Sequence, residues 1–465
     1  MTKLFGTNGI RGVVNEEMTI DLASHIGLAW GTYLHLQYEK PKVAIGTDAR
    51  LSNIMLKQSV SSGLLATGCR VTDVGLLPTP AIQYTVKTKD FDSGVVITAS
   101  HNPPQFNGIK GIDADGTEFS KKTEETIEDI YFKKTFSLKH WNQIHRVRIV
   151  DVAAQDYKNA IIGQVDSNSI KQKKLHVVLD CGNGAGGVVT PDLLSQFGCK
   201  LTCLNCKPDG HFPGHPSEPT PENLQQLMNT MKKTDADLGV AQDGDADRAI
   251  FVDEQGHYVW GDQTLTLMAD YITKENNGGT VVTPVTSSRS VEEVVTKNNG
   301  KVVRTKVGSP IVAREMIKQN AVFGGEENGG LIFPKMQFCR DSAMTIAKII
   351  EIICSENKSF SSLLDKLPRY EVLKTKINCP NHLKQKVLEE IKKQVSKESQ
   401  IMNIDTTDGL KLYYNSGWVL MRPSGTEPIF RVYAEAKTSG EAKKLADSSL
   451  KEVKDIIKNC KEQKQ

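Results

Sequence analysis

One pattern occurs three times along this chain and restricts its fold more than anything else. An apolar strand is followed by a loop, an amphipathic helix, a glycine and a second apolar strand. Lys42 to Ile45 leads to Gly68 and CRVTDVG; His176 to Leu179 leads to Gly198 and CKLTCLN; Thr280 to Thr283 leads to Gly300 and KVVRTKVG. Strands and helices alternating at this spacing predict βαβ units in mostly parallel sheets. Each unit ends in a further apolar strand that runs into a polar, Gly-rich loop: SGVVITASHNP at 93–103, ADLGVAQDGDADR at 236–248 and NAVFGGEENGG at 320–330. Ligands of open α/β sheets lie beyond the carboxyl ends of the strands, so the economical geometry has the three loops facing one cleft. From about residue 371 the pattern changes. Lys-rich helical sequence comes first, then SGWVLMRPSGTEPIFRVYAEA, which reads as two strands around a polar turn followed by a helix. The expected class is α/β: three similar mixed α/β domains followed by a smaller α+β domain, divided at 1–150, 151–256, 257–370 and 371–465.

Composition supports a chain of this size and narrows its partners. With 38% apolar and 24% charged residues, 465 residues suffice for roughly three or four domains. Lys plus Arg number 58 against 55 Asp plus Glu, and a net charge of +3 leaves no electrostatic footprint for nucleic acid or an anionic membrane. The start, MTKLFGTNGIRG, lacks the apolar core of a signal peptide. The most apolar stretch, Ile346 to Cys354, is broken by Lys348 and Glu351. A cytoplasmic protein without a membrane span is expected, and the nine cysteines read as mostly buried thiols in a reducing compartment.

Four short segments carry chemistry. In DGDADR at 243–248, Asp243, Asp245 and Asp247 alternate along one tight loop and suit a hard, oxygen-preferring cation. A solvated acidic turn is the plain alternative. A calcium loop would place Glu254 at its twelfth position, but Arg248 stands at the sixth, where glycine is needed, so Mg²⁺ is the better match. In TASHNPPQFNGIK at 98–110, Ser100 lies just past a strand end, and Pro103 and Pro104 prevent further regular structure. Adjacent extended residues point to opposite sides, which sets His101 apart from Ser100 and disfavours a serine hydrolase. RPSGTEP at 422–428 offers a guanidinium, two hydroxyls and the free N–H groups of a turn, the makings of an anion nest. GGEENGG at 324–330 supplies Glu326 as a hydrogen-bond acceptor, with glycines that permit close backbone approach.

Two further patterns carry less. Gly182, Gly184 and Gly187 fit a dinucleotide fingerprint, yet the next strand ends near Asn205 without an acidic residue for a ribose. Cys199, Cys203 and Cys206 have a spacing suited to an iron–sulfur cluster, but lie within an apparent strand where Cys206 faces away from the other two. Buried structural thiols are the expected reading.

With four motifs in this order, the chain resembles the α-D-phosphohexomutase family over nearly its whole length. The resemblance implies four domains around a central cleft. It also implies interconversion of hexose 1-phosphate and 6-phosphate through a phosphorylated Ser100 and a hexose 1,6-bisphosphate that serves as intermediate and activator. It implies Mg²⁺ held by Asp243, Asp245 and Asp247 together with Ser100, and sugar contacts from Arg248, Glu326 and Asn328. The distal phosphate falls to Arg422, Ser424, Gly425, Thr426 and Arg431. Arg11, His101 and Lys110 stand with the nucleophile, and Lys110 is the expected proton shuttle. Many bacterial members carry histidines where this chain has Gly330 and Ser309. KVGS and LFGTNGIRG look more like the archaeal members, which makes glucosamine 6-phosphate the first substrate to expect, with mannose and glucose phosphates as alternatives. A Mg²⁺-dependent sugar phosphatase and a non-catalytic sugar-phosphate binder are the readings from other classes. The partner is a small hexose phosphate, and a homodimer is the one assembly left open.

Overall fold

The computed structural model describes residues 4–6, 8–395, 401–425 and 427–462. The first unit holds strands β1 (Ile10–Val13), β2 (Lys42–Thr47), β3 (Arg70–Leu76), β4 (Ser93–Ile97), β5 (Phe106–Asp113) and β6 (Arg148–Ile149), in the order β1-β5-β4-β2-β3-β6. The second holds β7 (His176–Asp180), β8 (Lys200–Leu204), β9 (Leu238–Gln242), β10 (Ala249–Val252) and β11 (Tyr258–Val259), in the order β11-β10-β9-β7-β8. The third holds β12 (Gly279–Pro284), β13 (Gly300–Thr305), β14 (Phe323–Gly325) and β15 (Leu331–Ile332), in the order β13-β12-β14-β15.

The three sheets share one wiring. A central strand (β2, β7 or β12) pairs in parallel with the next strand on one side and with the third strand on the other. Parallel pairing demands a crossover, which the intervening helices supply. The third strand then turns back into an antiparallel partner: β4 into β5, β9 into β10, β14 into β15. Each polar loop singled out in the sequence is therefore the turn of a hairpin at the carboxyl edge of its sheet. The glycine expected after each helix is left-handed in two units, Gly68 (φ 83°) and Gly198 (φ 74°). In the third unit Asn299 (φ 60°) takes that conformation instead of Gly300, since asparagine tolerates the left-handed region.

The fourth unit is an antiparallel sheet of β16 (Glu371–Asn378), β17 (Asn403–Asp405), β18 (Leu410–Tyr413), β19 (Gly417–Pro423) and β20 (Ile429–Ala436), in the order β16-β20-β19-β18-β17, packed against helices 384–395 and 439–462. The sequence reading began this unit with a helix, but β16 comes first. Its lysines obscure a period-two pattern in which Leu373 and Ile377 face the core. Val285 of the third unit packs on Trp418 and Leu420 and docks the fourth unit there. One apolar core runs through the second and third units and reaches Ala81 and Ile82 of the first. Each fully buried large side chain contributes roughly 1.5–3 kcal/mol to such a core.

Gly184 and Gly187 serve close packing rather than a nucleotide: a Cβ would stand 2.6 Å from the Gly244 carbonyl oxygen at the first and 1.9 Å from the Cys206 carbonyl oxygen at the second. The expectation for the cysteines changes. Among the three cysteines, Cys203 is exposed and Cys199 and Cys206 are half-buried, because β8 is the edge strand of its sheet and covers fewer of its side chains. No helix among the described residues is long and apolar enough to cross a membrane.

Candidate active site

Ser100 follows β4 in a left-handed conformation (φ 49°), and its N–H donates to Thr98 Oγ1 at 2.9 Å. Its Oγ is buried and donates to Asp243 Oδ2, on the hairpin loop of the second unit, at 2.8 Å. The sequence reading separated His101 from Ser100 by assuming extended backbone. The left-handed turn removes that separation, and His101 Nδ1 lies 3.4 Å from Ser100 Oγ. Burial, with Arg248 and Arg11 nearby, pushes His101 down to about 2 and keeps it neutral. Arg11, on β1, donates from Nη1 to Asn102 Oδ1 at 2.9 Å and to the Ala99 carbonyl at 3.3 Å.

Asp243, Asp245 and Asp247 are buried in the β9–β10 turn and offer carboxylate oxygens within 4.8 Å of one another. The turn approaches the serine so closely that a Cβ on Gly244 would stand 2.5 Å from the Ser100 carbonyl oxygen. Burial and the repulsion of Asp247 and Asp245 hold Asp243 well above the ordinary carboxylate range. Burial also works to raise Asp245, but Lys110, the Thr79 hydroxyl at 2.7 Å, Arg340 and Arg11 outweigh it and leave Asp245 below that range. Asp245 Oδ1 and Asp247 Oδ1 are buried without a hydrogen-bond partner among the described residues. Three converging carboxylates with unsatisfied oxygens fit a hard divalent cation such as Mg²⁺. Arg248 lies at the edge of this cluster, with Nε 3.7 Å from Asp247 Oδ1 and 4.0 Å from Asp243 Oδ2.

Lys110, on β5, is buried among carboxylates: Nζ lies 3.3 Å from Glu118, 3.5 Å from Asp245 and 3.7 Å from Asp247. Burial pulls its ammonium down, but Asp245, Glu118 and Asp247 more than offset this and leave it above the ordinary lysine range. Glu118 also accepts from Ser309 Oγ at 2.7 Å, which ties the first unit to the KVGS loop of the third. Arg340 joins the other two loops by donating to Glu326 Oε2 at 2.9 Å and to Asp247. Glu326 Oε1 accepts from the Gly308 N–H at 3.2 Å, and Asn328 Oδ1 accepts from the Gly330 N–H at 3.1 Å.

The fourth-unit loop is built differently. Arg422 pairs with Asp408 at 3.0 Å, and its buried Nε has no hydrogen-bond partner among the described residues. Arg431 pairs with Glu427 at 2.7 Å. Ser424 Oγ accepts from the Glu427 N–H at 3.2 Å, and Gly425 is exposed. Thr426 lies outside the described residues. This loop meets the others through Asp408, which also accepts from the Val307 N–H at 3.1 Å, next to Gly308 and Glu326.

Sequence reasoning missed Glu118, Arg340, Asp408 and the Asp48–Arg50 segment. The last was findable, because it lies just past β2 at the same strand edge as the loops that were recognised. Arg340 and Glu118 carry no local motif, and only packing across units makes them part of the site.

Family models describing phosphoglucomutase/phosphomannomutase match the chain in four consecutive pieces: α/β/α domain I at residues 2–138, domain II at 155–256, domain III at 260–370 and the C-terminal domain at 375–452. A phosphoglucomutase/phosphomannomutase of Thermococcus kodakarensis is 46% identical, covering 98% of this chain and 100% of that protein. A probable phosphoglucosamine mutase of Methanopyrus kandleri is 41% identical, covering 100% of this chain and 99% of that protein. Among solved structures, a phosphoglucomutase/phosphomannomutase family protein from Burkholderia thailandensis superposes with a TM-score of 0.89 at 28% identity, covering 97% of both chains.

Proposed function

The chain belongs to the α-D-phosphohexomutase family, and from that premise we propose that it converts glucosamine 6-phosphate to glucosamine 1-phosphate through a phosphorylated Ser100. One observation carries the reading: the Ser100 hydroxyl points from its own turn into the three-aspartate loop of the neighbouring domain, at 2.8 Å from Asp243. A nucleophile buried beside a cation site suits phosphoryl transfer, which needs little beyond in-line placement and charge neutralisation. When bound at Asp243, Asp245 and Asp247, Mg²⁺ would supply positive charge to the phosphoryl oxygens.

We assign Ser100 as the group that gives its phosphoryl to one sugar hydroxyl and takes one back from the other, with a hexose 1,6-bisphosphate between the two steps. The O–P bond at Ser100 breaks as the bond to the sugar oxygen forms, and the hydroxyl proton passes to Lys110 as its ammonium hands one of its own protons to Glu118, 3.3 Å away. The guanidinium groups of Arg11 and Arg248 cannot release protons, so they act as fixed charge. Glu326 and Asn328 are assigned to the sugar hydroxyls. Arg422, Ser424, Gly425, Thr426 and Arg431 are assigned to the distal phosphate, consistent with the orphaned Arg422 Nε. We take the chain as four domains divided near residues 150, 256 and 370.

Glucose and mannose phosphates form the second reading, favoured by the 46% identical relative from Thermococcus kodakarensis. A panel of glucosamine, glucose and mannose 6-phosphates with Mg²⁺ separates the readings. The expected result is isomerisation, fastest with glucosamine 6-phosphate, that stops on chelation and returns with added Mg²⁺. Release of inorganic phosphate without an isomer would show a phosphatase instead.

A further inference from the structure

Arg50 lies just past β2 and is buried, and its guanidinium faces the loop that begins at Ser100. A guanidinium has five N–H donors in a rigid fork, and here all five bonds can be traced. Nη2 donates to the carbonyls of Ser100 at 2.8 Å and Asn102 at 2.6 Å. Nη1 donates to the carbonyls of Pro103 at 2.7 Å and Phe106 at 2.9 Å. Nε donates to Asp48 Oδ2 at 3.2 Å. The same Asp48 oxygen accepts from Thr98 Oγ1 at 2.6 Å, and Thr98 Oγ1 accepts the Ser100 N–H at 2.9 Å. Ser100 is thereby gripped at both ends of its own residue, its carbonyl by Arg50 and its N–H through Thr98 and Asp48.

The grip is closed from the second unit. The Phe212 ring stands 5.2 Å from the Arg50 guanidinium carbon, and Ser217 Oγ donates to the Asn102 carbonyl at 3.3 Å. Gly210 packs so tightly there that a Cβ would lie 2.5 Å from the Leu51 nitrogen. A left-handed serine is an uncommon conformation that persists only where its surroundings over-determine it. These bonds supply that constraint, on the residue whose hydroxyl meets Asp243.

We propose that Arg50 is a positioning residue for phosphoryl transfer: by clamping four carbonyls of the 100–106 loop, it holds Ser100 left-handed so that Oγ stays aimed into the aspartate loop. Arg50 touches no reacting atom, and the proposal rests on the assignment of Ser100 as the phosphoryl carrier.

The test is Arg50→Lys, which keeps the charge but cannot reproduce the fork. Two rates are read: kcat and KM with the preferred hexose phosphate, and loading of Ser100 by glucose 1,6-bisphosphate, followed by intact mass. Misplacing a nucleophile by about 1 Å costs roughly 10²-fold, so kcat and the loading rate are expected to fall by about that factor with KM nearly unchanged. Arg304→Lys is the control, a partly buried guanidinium in the third unit that donates to the Pro284 and Ser288 carbonyls at 3.0 Å. It should lower the thermal midpoint while leaving kcat within about threefold. Arg50→Lys behaving like Arg304→Lys overturns the proposal. Should Arg50→Lys not fold, Thr98→Val decides it: a loss of about tenfold or more in kcat and loading at constant KM supports the grip, and unchanged rates refute it. Failure of the wild type to isomerise any hexose phosphate would overturn the proposed function, while the loading rates would still decide the role of Arg50.

Discussion

The Ser100 end of the molecule and the Arg422 end differ in how each holds its charges. Around Ser100, the Lys110 ammonium is buried among Glu118, Asp245 and Asp247, and Arg340 bridges Asp247 to Glu326, so that three of these pairs, Lys110 with Asp245 and Asp247 and Arg340 with Asp247, cross from one unit to another. Around Arg422, the cations pair within their own unit, Arg422 with Asp408 and Arg431 with Glu427. The bracing differs in the same way. Five guanidinium bonds from a buried Arg50 hold the first loop and its neighbour Asp48. A half-buried Lys384 holds the second through the carbonyls of Ser424 at 2.6 Å and Glu427 at 2.5 Å. Bond making and breaking needs a nucleophile fixed in line, whereas a phosphate clamp that serves a substrate in two orientations needs mainly charge.

Four substitutions probe this contrast, from the largest effect to the smallest. Ser100→Ala removes the proposed nucleophile and little volume, so turnover in a coupled isomerisation assay should fall on the order of 10⁴-fold or more with the thermal midpoint nearly unchanged. A mutant retaining substantial activity would displace Ser100 from the reaction. Lys110→Arg keeps the charge among the three carboxylates but not the exchangeable proton, and kcat should fall by roughly 10²-fold with little change in KM. Retention of most of kcat would make Lys110 a fixed charge only.

At the other end the effects should appear in binding. Arg422→Gln should weaken the 1-phosphate and the 6-phosphate alike, by about 1.5–3 kcal/mol in titration calorimetry, the range for a charged hydrogen bond. A loss confined to one isomer would contradict a clamp shared by both orientations. Asp408→Asn frees Arg422 from its carboxylate while keeping an acceptor for the Val307 N–H. Both isomers should then bind more tightly, by no more than about 1 kcal/mol, since a partly exposed ion pair is worth little. A larger effect, or weaker binding, would mean that Asp408 does more for the docking of the fourth unit than for the charge on Arg422.

How much of this was legible depends on whether a signal is local. Each repeated unit, each polar loop and the Asp243, Asp245, Asp247 triplet is a local stretch of chain, where strand period and loop composition are read directly. The lysines of β16 mask a half-buried strand, so its sequence reads as helical. His101 was set apart from Ser100 because an extended backbone was assumed, and a left-handed residue cannot be recognised in a serine as it often can in a glycine.

The sequence by itself determined the wiring and the chemistry on offer, because βαβ periodicity and the turn residues between strands are properties of neighbouring residues. It determined that serine, aspartates, a glutamate and a guanidinium-bearing turn sit at the edges of successive sheets. The tertiary structure alone decided which of these groups meet. Glu118 reaches Lys110 on one side and Ser309 on the other, Arg340 spans the second and third loops, and Arg50 grips a loop fifty residues downstream. The physical reason lies in burial. A charge removed from water must find a partner wherever packing brings one, and that partner is set by how the units dock rather than by any spacing along the chain.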